Sequence, residues 1–272
     1  MITVLKLGGE LLENAAAMQT AAVGIVQLAA TEPLVVVHGG GRAIDAELAR
    51  RGVTPRFADG LRVTDEATLD AVVAVLAGTT NTALVAAIGA AGGRAVGLTG
   101  ADGSIGRSVL AGLHHTTAGE DVDLGRVGQP DATDMRLLVG LLELGYVPVV
   151  ASIGVNRSGE LLNVNADSFA AHLAGALGAR QLIVAGTTAG VLDADGRTIE
   201  RLTLDDITTM TAAGTAHSGM VAKLAACRFA LLRGVLEVSI VSGRDGVPFV
   251  EAPGTRIVTA PADLAAQIAP SL

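Results

Sequence analysis

A lysine stands inside an apolar run near the start of the chain, Lys6 in VLKLGGELL, directly before the glycine pair Gly8 and Gly9. A strand lysine aimed into a core would face a large desolvation cost. One near a strand's carboxyl end can instead meet an anionic ligand or carry its stem out to solvent. A second cluster, Gly39 to Gly41, follows the apolar run PLVVVH and precedes a helical pattern. In a strand–glycine–helix arrangement the backbone turns sharply, approaches a ligand closely and offers the first helix amides to an anion. A tight turn alone explains either cluster, so both readings stand. Neither has the spacing of a Walker A loop or of G-x-G-x-x-G, which counts against a nicotinamide dehydrogenase.

Three further stretches carry chemistry. In GLRVT, Arg62 offers a planar fork suited to a carboxylate, or to a surface salt bridge. In LLNVNAD, Asn163, Asn165 and Asp167 alternate into a predicted helix; capping by Asn165 with Asp167 in the first turn accounts for two of them and leaves Asn163 unexplained. In HSGMVAK, Ser218 and Gly219 suit a helix start and Lys223 falls one turn in, where the helix dipole disfavours a cation unless an anion is near.

The elements that must position these groups read as alternating strands and helices. ITVLKL precedes a helical pattern over 10–30, PLVVVHGGG precedes 41–51, and RAVGLTG follows a long pattern over 66–91. GYVPVVASIG, ARQLIVAG and LEVSIVSG are later strand candidates, with helical stretches over 134–144, 165–177 and 219–233. Such alternation implies an α/β fold with a mainly parallel sheet. Residues 105–131 are rich in turns, and SIGVNRSGELLNV reads as a hairpin around Asn156 to Gly159. The best division of the chain falls near Gly178, separating 1–178 from 179–272.

Composition narrows the functions. The 272 residues are 50% hydrophobic and 17% charged, enough to bury a sizeable core. Nineteen basic against 27 acidic residues give a net charge of −8, the wrong sign for nucleic acid or an anionic membrane. With one Tyr, four Phe and no Trp, the chain also lacks aromatic platforms for stacking bases. The single Cys227 forbids an internal disulfide and fits a reducing cytoplasm. No Cys/His spacing suggests a metal site, no secretory signal is apparent, and no uninterrupted apolar run approaches the roughly 18 residues of a membrane span.

Taken in order, KLGG, VHGGG, GLRVT, ALAGTTN, GYVPVVASIGV, LLNVNAD, SGMVAK and GTRI cover nearly the whole chain and resemble the amino acid kinase family, within it the N-acetylglutamate kinases. The resemblance implies a three-layer αβα sandwich in two lobes: 1–178 for the acetylated amino acid and dimerisation, 179–272 for ATP. It implies transfer of the γ-phosphoryl of MgATP to the side-chain carboxylate of N-acetyl-L-glutamate, as a step of arginine biosynthesis. It also implies that Lys6 contacts the transferring phosphoryl, Lys223 stabilises the ADP side and Asp167 holds both ammonium groups. Amides of Gly8, Gly9, Gly40 and Gly41 would line the phosphoryl and carboxylate path, Arg62 and Asn163 would hold the α-carboxylate, and Mg²⁺ would ride mainly on the ATP phosphates.

The family's usual acidic residue after the ARQLIVAG strand is replaced by Thr187 and Thr188, and Ala101 stands where many relatives carry lysine. No role is transferred to these positions. The strand candidate at the start of the chain, without the extra helix of arginine-regulated hexameric relatives, leads us to expect an uninhibited homodimer. Two rivals share the fold: a kinase of aminoadipate or glutamate linked to a carrier protein, for which RRG at 50–52 is a meagre docking patch, and a catalytically silent sensor, which would be expected to lack Lys6, Asp167 or Lys223. His38 is expected near the site or in a structural hydrogen bond. His114 and His115 should face opposite sides of a strand, and His172 and His217 have no evident partner.

Overall fold

A computed structural model describes residues 1–214, 218–244 and 246–259. Its centre is an eight-stranded sheet in the order Arg201–Thr203, Gly254–Val258, Glu237–Ser242, Gln181–Gly186, Thr3–Leu7, Leu34–His38, Val147–Ala151 and Ala95–Thr99. The six strands from Glu237–Ser242 to Ala95–Thr99 run parallel. Gly254–Val258 reverses direction against Glu237–Ser242, and Arg201–Thr203 runs parallel to it. The fold is α/β with a mainly parallel sheet, as the alternation of elements predicts.

Both faces of the sheet are covered, which is why its central strands read as continuous apolar runs. Leu5, Leu7, Val36, Val149 and Ile183 pack with Ile25 and Leu28 of the helix Ala15–Ala29 and with Leu84 and Ile88 of the helix Asn81–Ala90. On the opposite face Val4, Val37, Val150 and Val184 pack with Phe169 and Leu173 of the helix Ala166–Ala176 and with Leu224 and Cys227 of the helix Ser218–Leu232. Helix, sheet and helix make three layers. Each fully buried aliphatic side chain contributes about 1.5–3 kcal/mol.

Strand periodicity decides where Lys6 points. Alternate residues face opposite layers, so Lys6 shares the face of Val4, and its neighbours in register are Val37 and Val184. It therefore stands toward the helix Ala166–Ala176, whose first turn carries Asp167.

The strand Thr3–Leu7 pairs with Leu34–His38 on one side and Gln181–Gly186 on the other. Chain order thus departs in both directions from the first strand, and ligands of open α/β sheets bind in the crevice at the carboxyl ends beside such a point. The turns Gly8–Gly9, Gly39–Gly41 and Gly186 all lie at that end.

Residues 66–90 form one long helix, with a π-helical turn over Ala74–Thr80 between α-helical halves. By length and a mean hydropathy of 1.9 it could cross a membrane, and 44% of its most apolar window is buried inside the protein. Thr79 to Thr82 break the apolar run, and Asn81 donates from Nδ2 to the Val149 carbonyl at 2.9 Å. That bond ties the helix to the sheet, as expected of a core helix.

The hairpin foreseen around Asn156 to Gly159 joins Ile153–Val155 to Leu161–Val164. With Val127–Pro130 and Ser108–Leu110 it forms a four-stranded sheet. Two further hairpins pair Arg56–Ala58 with Leu61–Val63 and Leu113–His115 with Asp121–Asp123.

Candidate active site

The buried lysine has a partner. Lys6 Nζ lies 2.8 Å from Asp167 Oδ1, with both side chains under one-tenth exposed. The contact is close, but Asp167 Oδ1 accepts no directed hydrogen bond among the described residues, so the attraction there is Coulombic. Lys223 Nζ stands 3.8 Å from the other oxygen, Oδ2. One carboxylate thus lies between two ammonium groups, one from the first strand and one from the helix Ser218–Leu232. Asn165 supplies the helix cap, its Oδ1 accepting from the amides of Asp167 and Ser168 at 3.0 Å each. Asp167 is left to meet the lysines.

The two glycine turns touch through their backbones. A Cβ on Gly9 would fall 2.7 Å from Gly40 Cα and 3.0 Å from the Gly41 amide nitrogen, and one on Gly39 would fall 3.3 Å from Ala166 Cβ. Only glycine allows the first contact. Through these approaches the first strand, the second strand and the Asp167 helix converge. Gly41 differs, since a Cβ there meets nothing within 4 Å among the described residues.

Beside this convergence opens a cleft of about 250 Å³, with Lys6, Gly9, Gly40, Gly41 and Asp167 on one side and Arg62 and Asn163 on another. Gly8 and Lys223 stand outside its lining. Arg62 is buried, with its guanidinium 4.6 Å from the Phe57 ring centre and Nη2 donating to the Gly41 carbonyl at 3.3 Å. Its Nη1 lies 2.7 Å from Asp45 Oδ1, yet neither atom makes a directed hydrogen bond within the described residues. Asn163 donates from Nδ2 to Thr64 Oγ1 at 3.0 Å, and that hydroxyl donates to the Arg62 carbonyl at 2.8 Å. The two groups first picked out 101 residues apart are therefore linked through one threonine.

His38 is a structural residue. Its Nδ1 lies 3.1 Å from the Gly39 carbonyl and its Nε2 3.0 Å from Asn81 Nδ2. An amide NH₂ can only donate to Nε2, so Nδ1 carries the proton and donates to Gly39. Burial lowers the His38 pKa to about 4 and keeps the ring neutral. His114 and His115 bond separately, to Asp59 and Asp121 at 2.9 Å each, and form no ligand pair. His172 stacks on Phe229, and His217 lies outside the described residues.

The sequence reading passed over several residues in or around this cleft. Asp45, Phe57 and Glu10 lack any local pattern that sets them apart, although an acid directly after a glycine pair is a signal of sorts. Asp59 had a stronger one: Asp59-Gly60 is a two-residue hairpin turn with positive φ at both residues, 47° and 82°. The Asp59 carboxylate accepts from His114 Nε2, from the Thr117 amide at 3.0 Å and from Thr117 Oγ1 at 2.9 Å. It thereby ties the hairpin bearing Phe57 and Arg62 to the hairpin Leu113–Asp123. Among the described residues, no group of three or more His, Cys, Asp and Glu side chains could hold a metal unaided.

Comparison with known proteins agrees with this architecture. The sequence profile of the amino acid kinase family matches residues 1–242. The chain belongs to the amino acid kinase family. Among relatives in this family, acetylglutamate kinase of Azorhizobium caulinodans is 41% identical over 251 residues, spanning 89% of this chain and 82% of its own. Acetylglutamate kinase of Methylobacterium nodulans is 40% identical over the same shares. Among solved structures, N-acetylglutamate synthase of Neisseria gonorrhoeae, complexed with coenzyme A and N-acetyl-glutamate, superposes with a TM-score of 0.83 at 26% identity. The match covers 95% of this chain but only 59% of the synthase chain.

Proposed function

We propose that this protein transfers the γ-phosphoryl group of MgATP to the side-chain carboxylate of N-acetyl-L-glutamate. The observation that carries the reading is one cleft with Lys6 and Asp167 at one end, Lys223 lying 3.8 Å from Asp167 outside the lining, and at the other end a buried arginine whose Nη1 makes no directed hydrogen bond among the described residues. A dicarboxylate acceptor has one anionic group for each end. Relatives named acetylglutamate kinase at about 40% identity over most of the chain support that choice of acceptor.

Such an acceptor oxygen is already a nucleophile, so no general base is needed. It attacks the γ-phosphorus, the bond to the bridging oxygen breaks, and ADP leaves with the electron pair. The protein's task is alignment and charge stabilisation. In our reading Arg62 and Asn163 hold the α-carboxylate, and the amides around Gly8, Gly9, Gly40 and Gly41 line the path. Lys6 neutralises the travelling phosphoryl, and Lys223 neutralises the charge that grows on ADP. Asp167 holds both ammonium groups in position. Mg²⁺ bound to the phosphates would offset their charge.

In this reading residues 1–178 serve the acceptor, and 179–272 serve the nucleotide. The working form is a homodimer in the cytoplasm; the half-buried apolar helix over 66–90 and the free edge of Ala95–Thr99 are surfaces that a second copy would cover.

The test is to incubate the protein with MgATP and N-acetylglutamate, glutamate, aspartate or acetylated aminoadipate, trapping any acyl phosphate as the hydroxamate. Product with N-acetylglutamate alone is expected. Product with another acceptor would redirect the substrate assignment, and no product from any would overturn the kinase reading.

A further inference from the structure

Of the four charged residues lining the cleft, three have ionic partners: Lys6 and Asp167 pair with each other, and Arg62 with Asp45. Glu10 is the fourth, and among the described residues its carboxylate makes neither an ion pair nor a hydrogen bond. It is not turned out to solvent. A Cβ on Gly8 would lie 2.5 Å from Glu10 Oε1 and 2.6 Å from Oε2, and a Cβ on Gly186 would lie 3.2 Å from Oε1. The carboxylate therefore sits over the crevice between the ends of the first strand and of Gln181–Gly186, close to Lys6 in sequence and in the cleft.

A bare carboxylate at that place opposes the activity proposed above. Phosphates crossing the crevice would be repelled by it, unless a cation came with them. Mg²⁺ is a hard ion, commonly held by one or two carboxylates together with substrate phosphates and waters. Glu10 offers that type of oxygen donor, free of competing partners among the described residues.

We propose that Glu10 is a metal-recruiting residue, whose carboxylate engages the nucleotide's Mg²⁺ directly or through one of the ion's waters. The proposal rests on the kinase reading and adds to it a protein ligand for the metal. It turns an apparent electrostatic penalty into selectivity for metal-bound over metal-free nucleotide.

Calorimetric titration of the full-length protein with ADP, in excess Mg²⁺ or in excess EDTA, tests this without turnover. Wild type is expected to bind ADP more tightly with Mg²⁺. Glu10→Gln, close in size and able to fold as wild type does by circular dichroism, should lose about ten-fold in affinity for MgADP, the lower end of what outer metal partners are worth. Its affinity for metal-free ADP should hold or rise, because the repulsion is gone. Glu10→Asp, which keeps the charge on a shorter arm, should recover part of the Mg²⁺ preference. If Glu10→Gln changes both titrations equally, or leaves the Mg²⁺ preference intact, the proposal is overturned while the kinase reading stands. If wild type binds no nucleotide in either titration, both fall together.

Discussion

Replacing Asp167 by Asn removes one charge and almost no volume from a place where two ammonium groups meet. At an effective dielectric constant of about 20, the attractions across 2.8 Å and 3.8 Å are about 6 and about 4 kcal/mol before desolvation. Breaking a buried ion pair has a net cost of about 3–5 kcal/mol, because the remaining charge stays buried. Lys223 is 21% exposed and can turn to water, and Asp167 Oδ1 accepts no directed hydrogen bond among the described residues, so the lower figure applies. A loss of about 3 kcal/mol should lower Tm by about 6 °C, at roughly 2 °C per kcal/mol for a large domain. Turnover should fall by about 10²–10³, the scale seen when one preorganised charge-stabilising group is removed.

Thermal melts and the hydroxamate assay measure the two effects separately. The decisive comparison adds Lys6→Met. If the cost comes from stranding Lys6, the double variant should be more stable than Asp167→Asn alone, while remaining inactive. Stability losses that simply add, or an Asp167→Asn protein with wild-type Tm and turnover, would refute the account of Asp167 as the charge that holds both lysines.

Other consequences are as specific. Gly9→Ala should be destabilising by about 1–3 kcal/mol and slow turnover, since its Cβ meets the Gly40 backbone, whereas Gly41→Ala should fold normally; equal urea midpoints for the two would contradict the close approach of the turns. Asp59→Asn keeps a residue that tolerates positive φ but weakens acceptance from His114 and Thr117. It should raise KM for the acetylated substrate several-fold with little change in kcat or in KM for ATP, and a fall confined to kcat would show that the brace does not act through Arg62. His38 has a native pKa of about 4 against 6.5 for the free side chain, so the unfolded chain binds the extra proton first. Its contribution is complete above pH 6.5 and is lost as pH falls toward 4, about 3 kcal/mol in all. His38→Gln should flatten the urea-stability profile across that window, and an unchanged slope would disprove the buried neutral ring.

Much of the fold is legible in the chain because local rules and tertiary structure agree. Buried parallel strands must be apolar, so LVVVH and VPVVA announce themselves; Asn165 caps its helix and Asp59-Gly60 turns its hairpin by chemistry confined to a few residues. The reversal of Gly254–Val258 was not legible, since nothing in GTRIV specifies the direction of the neighbouring strand. Nor does the apolar content of residues 66–90 distinguish a core helix from one in a membrane; Asn81, bonded to Val149 and His38, does so only once the sheet is in place.

The same division runs through the cleft. By itself the sequence determined that an awkward lysine precedes a glycine turn, that Arg62 stands in an apolar setting and that helix capping leaves Asn163 unexplained, because each departs from a local rule. Only the tertiary structure decided which partners answer them: Asp167 for Lys6, Asp45 for Arg62, and Thr64 between Asn163 and Arg62. Strand alternation turns Lys6 toward the layer that holds Asp167, and the bare backbones of Gly9 and Gly40 let the two turns close to contact. It also left Glu10 without a partner among the described residues over the crevice. Charge compensation between residues far apart in sequence depends on distance in space, which periodicity and spacing along a chain do not encode.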